Sequence, residues 1–431
     1  MGIKGGSINS IFLTLIILFC FLVGGNKFLS PVAQSSTENL SRWIARQDPI
    51  SPISEDSRKR LNSQGKMLGV TLQRTNVYDA AGLTEPKAVI WTTRKLITIR
   101  SPYFYPKPGG TVRYDWSTEN YTSTLTIAGQ ELYFSAGADG DGYWFVIDRR
   151  TGEAKTLRLK ETGLLSQPVV AGDLLYVGSA DSSFRAFDRH TGELKWRIGR
   201  KDYRFYYTAP AVADGVIYFN GDDVLGRSGG MQAVDALTGD IKWTFNVKGS
   251  GPVAVADGSL YFGAGARNLY AVNGDTGQVI WRVEASDYVR TPVIMNGRVF
   301  FSDGNNNLYA VDLKSGKEIW RVAMKNKMET HLAAYRGLLY FGGRNDSLFA
   351  VDADTGKEKW RYSTTAPCIR PVVANGMIYS ATPDKVIFAV DAETGKEKWR
   401  YKTKRTLNAP PIVGDGVIYF LDEEGFISAL G

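Results

Sequence analysis

From about residue 122 to residue 430 the chain is written in short apolar runs separated by Gly, Asn and Asp pairs, with no stretch of helical period. One unit reads PVVANG (371 to 376), MIYS (377 to 380), a variable loop, VIFAVD (386 to 391), a turn and KEKWRY (396 to 401). Four runs of this length, rich in β-branched and aromatic residues and bounded by turn formers, predict four antiparallel strands. Thr-Gly or Ser-Gly pairs mark the same point of each unit at 151, 191, 238, 276, 315, 355 and 394. A period near forty residues with four strands per repeat predicts propeller blades rather than solenoid coils.

The last unit, APPIVGDGVIYFLDEEGFISAL (409 to 430), supplies three strands and stops before its fourth. A closed ring has no exposed sheet edge, so an upstream segment is expected to complete that blade. KAVIWTTRKLI (87 to 97), carrying Trp91, is the first choice and TVRYDW (111 to 116) the second. The expected fold is therefore all-β, an eight-bladed propeller closed by pairing the N-terminal and C-terminal segments of the domain.

The repeat also explains its most uniform letters. In AVDAETGKEKWRY (389 to 401), Asp391 and Thr394 are placed to bond the local backbone and Gly395 to supply the positive φ of a tight turn. A Trp follows that glycine by four residues in six units, at Trp196, Trp243, Trp281, Trp320, Trp360 and Trp399. With Trp91 these residues are expected to dock blade on blade, each worth about 4 to 6 kcal/mol gross if fully buried. The first unit has Thr156 in the Trp position, so its blade is expected to dock differently.

Composition changes the picture at the N-terminus. Lys4, the run IFLTLIILFCFLV (11 to 23) and a small, polar exit read as a signal peptide or membrane anchor over 1–25. Residues 26–70, rich in Ser, Gln, Asn and charges, read as a polar linker, leaving 71–431 for the propeller. An exported, periplasmic or extracytoplasmic location follows, with the N-terminal segment in contact with the membrane. The 52 Lys and Arg against 44 Asp and Glu give +8, but the cations are scattered among acids and no nucleic-acid motif occurs. Of two cysteines, Cys20 lies in the apolar run and Cys368 stands alone in the repeats.

The AxD…TGxxxW unit, with its Thr-Gly or Ser-Gly turn in seven copies and its Trp in six, resembles the tryptophan-docking repeat of the pyrroloquinoline quinone (PQQ) propeller superfamily. The resemblance covers about 122 to 430 and extends to TLQRTNVYDAAG (71 to 82), since such chains often begin with an Arg-Thr-Gly-Val-Tyr-like stretch; here Asn76 replaces the glycine. The superfamily includes PQQ-dependent alcohol dehydrogenases and the propeller lipoprotein of the outer-membrane β-barrel assembly machine, so the repeat names a fold and not an activity. In the dehydrogenases the resemblance implies PQQ and Ca²⁺ on the central axis, a catalytic Asp and, in many, two adjacent cysteines. This sequence has no Cys-Cys pair and no CxxCH, and no Glu, Asn and Asp set matches the calcium positions. No catalytic or metal-ligating residue is assigned and no cofactor is expected. The rival readings are a PQQ-dependent dehydrogenase with a degenerate site and an extracytoplasmic ligand sensor.

His190 sits in a turn, and GADGDG (137 to 142) lacks the ligand spacing of an EF-hand and reads as a flexible hairpin loop. Function is expected where the units differ, on the face carrying the loops between second and third strands and the connections between blades. There GRKDYRFYY (199 to 207) combines Arg200, Lys201 and Arg204 with Tyr203, Phe205, Tyr206 and Tyr207. Tyr and Arg are common interface anchors. Arg200, Lys201, Tyr203, Arg204, Tyr206 and Tyr207 are therefore candidate partner-binding residues, the alternative being a lengthened connection packed on a blade. Arg290, His331 and Arg370 precede innermost strands and form a candidate anion or ligand site at the channel mouth. The function expected is a noncatalytic, monomeric binding scaffold for envelope or membrane proteins.

Overall fold

The computed structural model describes Val77–Tyr78, residues 88 to 93, 121 to 122 and most of 125 to 431. Short stretches at 139–140, 160–165, 180, 182, 200–202, 205–209, 224–228, 249–250, 266, 326, 329, 345 and 408 are excepted. All of these belong to one compact unit, Pro52–Gly431. The apolar run 11–23, the linker 26–70 and TVRYDW lie outside the described residues.

Eight antiparallel sheets make eight blades, each laid down from the axis outward. Their innermost strands are Thr126–Ala128, Val169–Ala171, Ala211–Ala213, Ala254–Ala256, Val293–Met295, Ala333–Tyr335, Val372–Ala374 and Ile412–Gly414, in blades 1 to 8. Middle strands such as Ser347–Asp352 are buried along almost their whole length, because each blade is covered on both faces by its neighbours. Outer strands such as Glu358–Ser363 alternate exposed and half-buried positions, and there the charged letters of KEKWRY fall.

Blade 8 is closed as the repeat count required. Val89–Thr92 pairs antiparallel with Ile427–Leu430, placing Trp91 opposite Ala429. Ala88 and Gly431 exchange both backbone hydrogen bonds at 3.1 Å.

The thirteen-letter motif is the joint between blades. Asp391 Oδ1 accepts the N–H of Glu393 and Thr394, and Gly395 turns the chain at φ 70°. In blades 2 to 7 a β-bulge follows the conserved Ala of the third strand, skipping one residue of the outer strand so that the Trp stands opposite that Ala. Trp360 of blade 6 thereby lays its ring on the Gly395 turn of blade 7, where a Cβ on the glycine would lie 2.6 Å from Cδ2. Its Nε1 donates to Ala392 O at 3.1 Å, and Tyr340 OH donates to the same oxygen at 3.1 Å. The same two donors converge on Ala236 O from Trp196 and Tyr176, on Gly274 O from Trp243 and Tyr218, and on Leu313 O from Trp281 and Tyr261. Blade 5 has Phe300 in place of the Tyr; there Arg298 Nη1 joins Trp320 on Ala353 O. Trp91, Trp243, Trp320 and Trp360 are only half-buried, so the full-burial figure is an upper bound for them. Trp399 packs with Val413, Ile418 and Phe420 of blade 8.

Blade 1 does dock differently. Its outer strand, Ala154–Leu159, pairs without a bulge. Trp144, on the third strand, instead meets Phe187 of blade 2 edge-on at 5.1 Å. Its buried Nε1 finds no acceptor among the described residues, and neither does Arg185 Nη1. A buried donor left without an acceptor costs about 1–3 kcal/mol, which weakens this joint.

Candidate functional site

Within a blade the four strands alternate in direction, so the Thr-Gly turns and the first tight turns fall on one face of the ring. The loops between second and third strands and the connections between blades fall on the other. The Thr-Gly face repeats the same turn anchored by a side-chain oxygen, whether of Asp148, Asp188, Asp235, Asn273, Asp312, Asp352 or Asp391. The opposite face is irregular.

Blades 1 and 3 rise above the rest of it. Their second strands, Glu131–Ala138 and Val216–Asp223, run five residues past Tyr133 and Tyr218. In blades 2, 4, 6 and 7 the strand ends three residues past the matching Tyr, at Ser179, Ala264, Gly343 and Thr382. Two extra residues per strand lift each hairpin by about 7 Å. Each tall hairpin also carries a short extra strand on its inner side, Tyr121–Thr122 in blade 1 and Tyr203–Arg204 in blade 3. The stretch read as a flexible GADGDG loop is therefore mostly strand, with pairing from Ala138 and Asp141 onward.

Of GRKDYRFYY, the backbone of Tyr203 and Arg204 pairs with Asp223 and Asp222. Arg200, Lys201, Tyr206 and Tyr207 lie outside the described residues. Blade 2 presents two guanidinium groups to one carboxylate: Arg185 Nη2 and Arg197 Nη2 both bond Asp181, the latter at 3.1 Å. Burial alone would raise the Asp181 carboxyl, but Ser183 and Arg185 hold it below the usual range. Sequence reading missed this cluster because Arg185 stands where blades 4 to 7 have Tyr270, Tyr309, Phe349 and Phe388 in the same column of the third strand.

Other carboxylates on this face are committed to the structure. Asp303 accepts from Ser286 Oγ at 2.6 Å and Tyr309 OH at 2.8 Å, pinning a connection to blade 5. Burial opposes its charge, yet Ser286, Asn307 and Tyr309 keep it below the ordinary range. Asp422 of blade 8 goes the other way: burial raises it despite the N–H groups of Phe426 and Glu424 and the Arg405 guanidinium. Among the described residues no cluster of His, Cys, Asp and Glu has the geometry to hold a metal ion.

Arg290, His331 and Arg370 fall on consecutive connections, entering blades 5, 6 and 7 at the channel mouth. Arg290 is half-buried, stacked over Tyr288 at 5.2 Å, and its N–H donates to Ser302 O at 2.8 Å. His331 is exposed and Arg370 half-buried. Sequence reading did not foresee that Val77–Tyr78 pairs with the inner strand of blade 7 and packs against that of blade 6. His190 lies half-exposed on the Thr-Gly face, 3.5 Å from Asp173.

The fold is shared with solved structures at low identity. BamB from Moraxella catarrhalis matches at TM-score 0.58 and 15% identity, over 74% of this chain and 95% of that one. The quinohemoprotein alcohol dehydrogenase from Comamonas testosteroni matches at TM-score 0.66 and 13% identity, over 88% of this chain and 82% of that one. Among curated proteins, the outer membrane protein assembly factor BamB of Yersinia pestis is 29% identical over 195 residues, 40% of this chain and 48% of the relative. This chain thus matches about half the length of that relative. The family model described as outer membrane protein assembly factor BamB matches residues 103–198, 227–317 and 304–430, most of the propeller, and the chain belongs to that family of PQQ-repeat propellers.

Proposed function

We propose that this chain is a noncatalytic scaffold of the cell envelope that binds partner proteins on its irregular face. The observation that carries the reading is the asymmetry of the ring. Elaboration gathers on one face, in the tall hairpins of blades 1 and 3 and their added strands, while the Thr-Gly face is uniform. A rigid scaffold with variable loops on one side is the usual build of a binding protein. Membership of a family described as an assembly factor supports it, as does the inner strand of blade 7, whose free edge is taken by a strand of the chain itself. In this reading residues 1–25 export or anchor the chain, 26–70 tether it, and 71–431 act as a monomer outside the cytoplasm.

The test replaces Arg200, Arg204 and Tyr206 with Ala and recovers envelope proteins on the purified propeller. Recovery should fall while the melting temperature stays put; an equal loss of both would make the stretch structural.

The second reading, a PQQ-dependent dehydrogenase, draws on the likeness in fold to quinohemoprotein alcohol dehydrogenases over 88% and 89% of the chain. Titration with PQQ and Ca²⁺ separates the two. Tight binding with dye-linked alcohol oxidation would overturn the scaffold reading.

A further inference from the structure

Blade 1 meets blade 2 through Trp144, which packs in one cluster with Val177 and Phe187 and lies edge-on to the Phe187 ring at 5.1 Å. Arg185 stands opposite Val177 in blade 2 and two residues before Phe187. Alternate residues of a strand share a face, so Arg185 points with Phe187 into the gap toward blade 1. Phe184, next to it, points the other way and stacks on Phe219 of blade 3 at 4.0 Å. A bridge joins the two levels. Ser135, opposite Trp144 in blade 1, donates from Oγ to Ser166 O at 2.8 Å, and Ser166 Oγ accepts the N–H of Gly178, next to Val177, at 2.7 Å.

Both side chains bury a donor in this gap. Trp144 is 1% exposed and Arg185 6%. Trp144 Nε1 and Arg185 Nη1 are shut off from solvent and find no acceptor among the described residues. Ala128, Val146, Val170 and Leu175, which pack around Trp144, are apolar, and the Tyr133 hydroxyl donates to Glu131 instead.

The charge is unbalanced as well. Arg185 and Arg197 share the single carboxylate of Asp181. Burial holds the Arg185 guanidinium below its ordinary range, Asp181 offsets this only in part, and Arg197 adds to the depression.

Two donors facing one apolar gap, with two cations against one carboxylate, set the chemistry of a ligand. It must accept hydrogen bonds and has nothing to donate to. A water would satisfy both N–H groups but leave its own O–H groups without acceptors. A small anion only accepts, and its charge meets the guanidinium away from bulk water.

We infer that the joint of blades 1 and 2 is a halide site, with chloride held between Trp144 Nε1 and Arg185 Nη1. The ion fastens the joint just below the two residues by which the hairpin of blade 1 outgrows its neighbours. The inference is independent of partner binding.

Urea unfolding of the full chain, with chloride exchanged for gluconate at constant ionic strength, tests it. Above the dissociation constant, each tenfold rise in chloride should raise the folding constant about tenfold. Arg185→Met should abolish the dependence, and Trp144→Phe, which keeps an aromatic ring in the joint, should weaken it. Arg361→Met, on the exposed face of the outer strand of blade 6, should leave it unchanged. A folding constant indifferent to chloride overturns the inference, as does a dependence that Arg185→Met or Trp144→Phe leaves intact or that Arg361→Met removes. Crystals of the unaltered protein grown in bromide read the site directly. Anomalous density between the two nitrogens is the expected result, and its absence there, or a water alone, overturns the site.

Discussion

Two glycines of blade 7 have the same backbone conformation and different surroundings. Gly395 has φ 70°, and a Cβ there would lie 2.6 Å from Trp360 Cδ2 and 2.7 Å from Cε3; Gly376 has φ 74° and nothing within 4 Å. Gly376→Ala should cost only the left-handed backbone penalty, about 1–2 kcal/mol. Gly395→Ala adds the displacement of a packed indole, about 1–3 kcal/mol more. Urea unfolding at unchanged slope measures both, and the second midpoint should lie clearly below the first. In a Trp360→Leu background the gap between the two alanine variants should close, because residues in contact are not additive. Equal losses in the parent, or a gap that survives removal of the indole, would refute the docking of Trp360 on the Gly395 turn.

Tyr340→Phe removes one of two donors to Ala392 O and should lower stability by about 1 kcal/mol in the same assay. The Asp391 carboxyl is opposed by burial but held below its ordinary value by Thr394 and Lys398. Its stabilisation is therefore present above about pH 3.9, the unfolded value, and is lost as pH falls through the lower folded value. Asp391→Asn should keep the turn, since Asn273 anchors the same turn in blade 4, and should flatten the acid limb of stability measured from pH 5 to 2; an unchanged limb would contradict this. Arg149 is buried at the joint of blade 1 with blade 8, donating to Gly129 O at 2.7 Å and Tyr419 OH at 3.2 Å and pairing with Asp415 at 3.0 Å. Arg149→Met should cost about 1–3 kcal/mol and speed amide exchange in Ile427–Leu430, which closes the ring.

The fold was legible because the unit repeats. Strand period, turn chemistry and the Trp spacing recur in step, and the missing fourth strand of the last unit pointed to Trp91 across more than three hundred residues. The bulge was not legible. It appears only as the skipped residue, such as Lys398 or Ile90, whose side chain is exposed because the register shift turns it out of the ladder. Nor was the Arg185 and Asp181 cluster, since one Arg in an apolar column looks like a surface residue until its neighbours close over it.

The strand Val77–Tyr78 shows where such reading fails and why. A two-residue strand has no period, and a lone inner partner adds no turn signal. TLQRTNVYDAAG could be ranked only by resemblance, while the place of Val77–Tyr78 depended on a free edge that the fold had first to create. Repetition explains how blades stand together, and the departures from it gather on one face, in the tall hairpins of blades 1 and 3, which is where partner binding is proposed.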